Sequence, residues 1–128
     1  MNLLLDTHAF LWYVLADPRL KEAARGAIDD IGNGVWISPV SYWELAIKVS
    51  MGKYRLRREF QEFFEYNLAV NRFDLLPIDI QHAAELSRLP FHHRDPFDRM
   101  LAAQAIVEGA TLVSSDRAFD EYSLSRLW

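Results

Sequence analysis

Short apolar runs alternate with longer amphipathic stretches along this chain. Leu3-Leu4-Leu5, ending in Asp6, reads as a strand buried on both faces. Val35-Trp36-Ile37-Ser38 and Ala110-Thr111-Leu112-Val113 are of the same kind, and residues 73–78 form a further strand candidate. Between them, apolar spacing predicts helices over 7–15, 20–31, 41–51, 59–68, 80–89 and 96–108. Pro18 lies beyond the first, Gly52 closes the third, and Gly32-Asn33-Gly34 supplies a turn. In the 59–68 helix, Phe60, Phe63, Phe64 and Leu68 share one stripe, with Glu59, Glu62 and Glu65 off it. The 96–108 helix is apolar nearly all round from Met100 to Val107 and is expected to be buried. Strands and helices alternating in this way indicate parallel pairing through helical crossovers. The expected fold is therefore α/β, a three-layer α/β/α arrangement around a central, mainly parallel sheet. No repeat, low-complexity tract or Pro/Gly/Ser linker divides the chain, which reads as one unit over residues 1–128.

The acids give this pattern its chemical interest. In open parallel sheets the ligand crevice lies beyond the carboxyl ends of the strands, at the switch in strand order. Asp6 and Asp116 follow apolar strands, while Glu44 and Asp98 sit near the starts of helices that can open at the same edge. Four carboxylates converging without a basic partner repel one another unless a cation is bound. Oxygen donors in the absence of cysteine select Mg2+ or Mn2+ over zinc. The chemistry such a centre supports is displacement at phosphorus. Ser114, and Thr7 likewise, can orient a ligand or water by hydrogen bonding.

Each acid also has a local reading. Ser41-Tyr42-Trp43-Glu44 spells a capping box, with Lys48 a turn further on. Asp95-Pro96-Phe97-Asp98 spells a cap with proline at the first helical position, and Asp116 can begin a turn with Ser115. Asp6 resists such a reading, because an acid ending a buried strand is costly unless paired. One topology, moreover, brings all four to one edge.

Other polar residues divide between a structural and a functional reading. His8 can touch substrate or pack in the first helix, His92 and His93 read as a solvated loop pair or a phosphate contact, and His82 reads as helix surface. The basic run Lys53-Tyr54-Arg55-Leu56-Arg57-Arg58 can guide a nucleic-acid strand or be a solvated helix linker. Arg99 and Arg117, each beside a candidate acid, are placed to hold a phosphate. Trp36 and Trp43 read as core, and the phenylalanine stripe as core or an interface.

Composition narrows the classes. The 128 residues contain no cysteine, which removes disulfide scaffolds, thiol catalysis and cysteine-bound zinc, and makes a reduced, cytoplasmic setting the expectation. The longest apolar run, 9–16, is far short of the roughly 20 residues of a membrane span, and Asp6 is out of place in a signal peptide. The net charge of -4 argues against a phosphate-binding surface, yet setting the four candidate acids aside leaves acids and bases in balance. Most bases are arginine, which suits phosphate contacts.

With these residues in view, the chain resembles the PIN domains, and among them the VapC-like toxins of type II toxin-antitoxin modules. Leu3-Leu4-Leu5-Asp6-Thr7 is similar to the family's opening strand and first acid. Ser38-Pro39-Val40-Ser41-Tyr42-Trp43-Glu44-Leu45 is similar to its second motif, Asp95-Pro96-Phe97-Asp98-Arg99-Met100-Leu101-Ala102-Ala103-Gln104-Ala105 to its third, and Leu112-Val113-Ser114-Ser115-Asp116-Arg117-Ala118-Phe119 to its fourth. Ser114 stands where a threonine is common. The resemblance spans nearly the whole chain. It implies a Mg2+- or Mn2+-dependent endoribonuclease acting on RNA, with Asp6, Glu44, Asp98 and Asp116 as metal-binding acids. It also implies a cognate antitoxin protein and a homodimer or higher homo-oligomer. Three alternatives differ in class. A receiver-like signalling domain needs a lysine near the last strands, and none lies beyond Lys53. A non-catalytic regulatory module is disfavoured by the intact acid set. A DNA-directed nuclease of the same architecture shares the chemistry and differs in lacking the 2′-OH contact.

Overall fold

The computed structural model describes residues 1–128. Five strands, β1 (Asn2–Leu5), β2 (Gly34–Ile37), β3 (Asp74–Leu75), β4 (Thr111–Val113) and β5 (Ser125–Leu127), form one sheet in the order β3-β2-β1-β4-β5. Every neighbouring pair is parallel, with Leu4 opposite Trp36 on one side and Leu112 on the other. Helices α1 (Thr7–Val14), α2 (Glu22–Asp29), α3 (Pro39–Ser50), α4 (Phe60–Asn71), α5 (Ile80–Arg88) and α6 (Pro96–Glu108) make the connections. A short 3-10 helix, Arg117–Glu121, follows β4.

The strand period of two distributes the core. Leu3, Leu4 and Leu5 of the central strand are all fully buried, but Leu3 and Leu5 face Phe10, Leu20, Ile28, Phe63 and Phe64, whereas Leu4 faces Val40, Leu101, Ala102, Ala105 and Phe119. The sheet thus has an apolar layer on each side, as a parallel sheet requires. Burying each such leucine contributes about 1.5–3 kcal/mol. On the first side, the rings of Phe10 and Phe64 stack at 5.1 Å, so the phenylalanine stripe is core. On the second, the alanines of α6 let its backbone lie close to the sheet.

Several expected boundaries move for identifiable reasons. Helix α3 begins at Pro39, because Ser38, not Ser41, is its cap and accepts the Val40 N–H at 3.1 Å. The 73–78 strand contracts to two exposed edge residues, since Pro77 cannot donate to a ladder and Asp79 caps α5. Trp43 is 57% exposed, contrary to the expectation of core. His82, expected on the surface, is fully buried. Its Nδ1 accepts from the Asp79 N–H at 3.1 Å and its Nε2 lies 2.8 Å from Glu108 Oε2, joining α5 to α6.

Arg99 also reverses expectation. It is buried, and its guanidinium donates to the carbonyls of Leu86, Leu89 and Pro90 at 3.0–3.3 Å, with Phe91 stacked over it. A phosphate cannot compete for a fork already spent on the end of α5 and the loop after it. Arg99→Met strands these carbonyls and is expected to lower unfolding free energy by about 2–3 kcal/mol. Arg99→Lys should fall between it and wild type in urea denaturation, and an unchanged Arg99→Met midpoint would contradict this anchoring role.

Candidate metal centre

The strand order reverses direction at β1, so the carboxyl ends of β1 and β4 border the switch-point crevice. Asp6 is the residue after β1 and caps α1, accepting the Ala9 N–H at 2.8 Å. Ser114, fully buried, is the residue after β4, and its Oγ accepts the Asp116 N–H at 3.1 Å. Asp116 caps the 3-10 helix through the Ala118 N–H at 2.9 Å. Glu44 comes from α3, and Asp98 from the first turn of α6.

The sequence left Glu44 between a cap and a site. With the helix starting at Ser38, Glu44 is too far along to close a capping box. Its Oε1 instead accepts the Thr7 hydroxyl at 2.6 Å, with Ser41 Oγ 3.2 Å from that hydroxyl, and Lys48 Nζ lies 3.6 Å from Oε2. Thr7 therefore ties the start of α1 to α3 beneath the acids.

The charges are mutually felt. Burial raises the Asp6 carboxyl above its ordinary value, and Glu44 adds to this, while the Ser114 hydroxyl and the Ala9 N–H oppose it. Asp98 is pushed up to about 6, first by burial, then by the charge of Asp95, with Glu44 and Asp116 adding and His93 opposing. The interactions thus link all four candidate acids in a chain, Asp6 to Glu44 to Asp98 to Asp116. Asp116 shows the opposite outcome. Burial raises it, but the His93 hydrogen bond, the Ala118 N–H and the charges of His93 and Arg126 together hold it below the usual carboxylate value.

His93, like His82 and Arg99, departs from its expected place. Far from solvated, its ring lies against Phe119 and Tyr122, with Nε2 2.8 Å from Asp116 Oδ2 and Nδ1 2.9 Å from the Tyr122 hydroxyl. His93, Asp98 and Asp116 each offer a donor atom, all within 4.8 Å of one another. Nothing in the local sequence signals this contact, which joins residues 23 apart. Arg126, from the strand that went unpredicted, donates to the Ser114 carbonyl at 2.9 Å and forks onto Asp120. His8 is exposed and stacks on Trp12; Arg117 is exposed beside Asp116.

The donor set fits a hard divalent cation. Asp6 and Asp98 have no lysine or arginine bonded to them, their charge is disfavoured where they stand, and their donors are oxygens.

Comparison with known proteins places the family and the fold. A family model described as PIN domain matches residues 3–124. No curated protein matches the chain. Among solved structures, VapBC2 from Rickettsia felis, bound to a DNA fragment from its promoter, is 18% identical, with a TM-score of 0.73 over 99% of this chain and 98% of that one. FitAcB from Neisseria gonorrhoeae is 20% identical, with a TM-score of 0.70 over 98% and 96%. VapBC-5 from Mycobacterium tuberculosis, a member of the VapBC family of toxin-antitoxin systems, is 21% identical, with a TM-score of 0.60 over 98% and 95%. At these identities the likeness is one of fold.

The raised carboxyl of Asp98 sets a direction for stability. Unfolded, it titrates near 3.8; folded, near 6. The folded protein therefore holds the proton more tightly, and this group's contribution, complete below about pH 4, is lost as pH rises through about 6. In chelator, Asp98→Asn should gain stability relative to wild type between about pH 4.5 and 7.5. Thermal unfolding of both proteins across that range checks it; a difference that does not change with pH would contradict it.

Proposed function

The chain belongs to the PIN domain family, and from that premise we propose that it is a divalent-metal-dependent endoribonuclease, the toxin of a type II toxin-antitoxin module. The observation that supports this reading is that Asp6 follows β1 and Asp116 closely follows β4 at the switch point of a parallel sheet, with Asp98 and Asp116 offering donor atoms within 4.8 Å and Glu44 influencing both Asp6 and Asp98. Asp6 and Asp98 would be the principal ligands of Mg2+ or Mn2+, with Glu44 and Asp116 holding it directly or through water. Such an ion would supply the positive charge that activates water and stabilises the leaving oxygen at phosphorus.

The chain's own residues prepare that site. Ser114 holds the turn into Asp116 by accepting its N–H. Thr7 fixes one oxygen of Glu44, and Lys48 approaches the other. Asp95 caps α6 through the Phe97 N–H at 2.7 Å, so the turn carrying Asp98 is rigid. RNA as substrate, a cognate antitoxin protein, a homodimer or higher homo-oligomer and a cytoplasmic setting complete the reading, with residues 1–128 acting as one unit. VapC-like motifs and neighbours that include toxin-antitoxin proteins support it. No helix is long and apolar enough to cross a membrane.

Purified protein should cut labelled single-stranded RNA with Mg2+ or Mn2+ and cease in EDTA. Asp6→Asn and Asp98→Asn should each lower turnover by more than about 100-fold, beyond what loss of an outer partner costs. Unaltered turnover in both variants would overturn the metal assignment, and cutting of single-stranded DNA alone would reassign the substrate.

A further inference from the structure

The loop between α5 and α6 delivers a residue that neither the acid set nor the family motifs include. Its near end is held by Arg99, whose guanidinium takes the carbonyls of Leu86, Leu89 and Pro90. Its far end is fixed by Asp95 as the cap of α6. His93 lies between these anchors, and its side chain is only 8% exposed.

The hydrogen bonding specifies which nitrogen carries the proton. A carboxylate only accepts, so the 2.8 Å contact to Asp116 Oδ2 requires N–H at Nε2. In the neutral ring Nδ1 is then the acceptor, and the Tyr122 hydroxyl, 2.9 Å away, donates to it. Tyr122 is itself buried, and its ring lies 5.6 Å from the imidazole at an interplanar angle of 6°. Phe119 closes another side at 4.4 Å. The place of His93 is therefore set by packing, and the proton on its Nε2 by Asp116.

The need for such a device is visible at Asp116. It stands exposed as the cap of a short 3-10 helix, where one oxygen is fixed by the Ala118 N–H and the other is fixed by His93 alone. Carboxylates that hold a metal are commonly oriented by hydrogen bonds from outside the ligand shell. Resting on the metal-nuclease reading above, we propose that His93 is a positioning residue, which aims the Asp116 carboxylate at the ion through a Tyr122-to-His93-to-Asp116 hydrogen-bond relay.

The test compares wild type, His93→Ala, His93→Gln and Tyr122→Phe, with Asp98→Asn as the control for the metal site itself. Free Mn2+ in titrations is followed by EPR, and kcat and KM are measured on single-stranded RNA. His93→Ala should weaken Mn2+ binding by about 10- to 100-fold and lower kcat, with KM little changed. The amide N–H of glutamine reaches the position of Nε2, so His93→Gln should recover most of the loss. Tyr122→Phe should show a smaller loss of the same sign.

Four results would overturn the inference. His93→Ala binding Mn2+ as tightly as wild type, while Asp98→Asn does not, defeats it and leaves the metal-nuclease reading intact. Equal impairment of His93→Ala and His93→Gln makes the histidine a packing element. A 14N coupling on bound Mn2+ that disappears in His93→Ala makes it a ligand. Wild type that binds no Mn2+ defeats the metal reading, and the inference with it.

Discussion

The backbone N–H of Asp6 donates to the Val113 carbonyl at 3.1 Å, and this bond ties the end of β1 to the end of β4 where the chain leaves the sheet. Because the two strands run parallel, they end at one edge, and the residues that follow each are brought together there. Asp6 follows the first; Ser114 and Asp116 follow the second. Helix α3 continues from β2 and so also starts at this edge. Helix α6 leads back into the amino end of β4, and its own first turn, with Asp98, therefore lies at the carboxyl edge. One topological rule thus brings the segments that carry the four candidate acids to this edge.

Such convergence has an energetic cost that the surroundings only partly offset. Asp6 and Asp98 each sit at the start of a helix, where the peptide dipoles favour negative charge. Burial outweighs this, and both carboxyls are displaced upward. Asp116, with His93 bonded to it and Arg126 nearby, is displaced downward. Lys48 stands similarly by Glu44. The side chains of basic residues thus lie on Glu44 and Asp116. Asp6 and Asp98 bond no lysine, arginine or histidine, which is the condition that favours a divalent ion.

The elements most legible in sequence were those whose signal is local or periodic. The Leu3-Leu4-Leu5 run, the alanine-rich helix after Asp95 and the apolar strand ending at Val113 all appear where the pattern puts them. Asp6 and Asp116 were legible as the acids that come after apolar strands, since a strand end is visible in sequence. Strand β5 was not, since Ser125-Arg126-Leu127 has neither length nor alternation and is fixed by pairing with β4. His93 carries no local signal at all: its partner Asp116 is reached across the fold. Arg99 misled for a geometric reason. Sequence neighbours on a helix point about 100° apart, so adjacency to Asp98 placed it away from the acids rather than beside them.

That divergence has a constructive side, because the first turn of α6 serves two purposes at once. Asp98 faces the cluster, while Arg99 faces the carbonyls at the end of α5 and fixes the loop that carries His93. Asp95 holds the turn itself. A displacement of this turn therefore moves Asp98 directly, and moves Asp116 through Arg99, the loop and His93. Two of the four acids, which lie on different segments and share no bond, are in this way held in register by one helical turn. The carboxylate cluster is positioned on this side by the buried polar contacts of α6, and on the other by the backbone bond between β1 and β4.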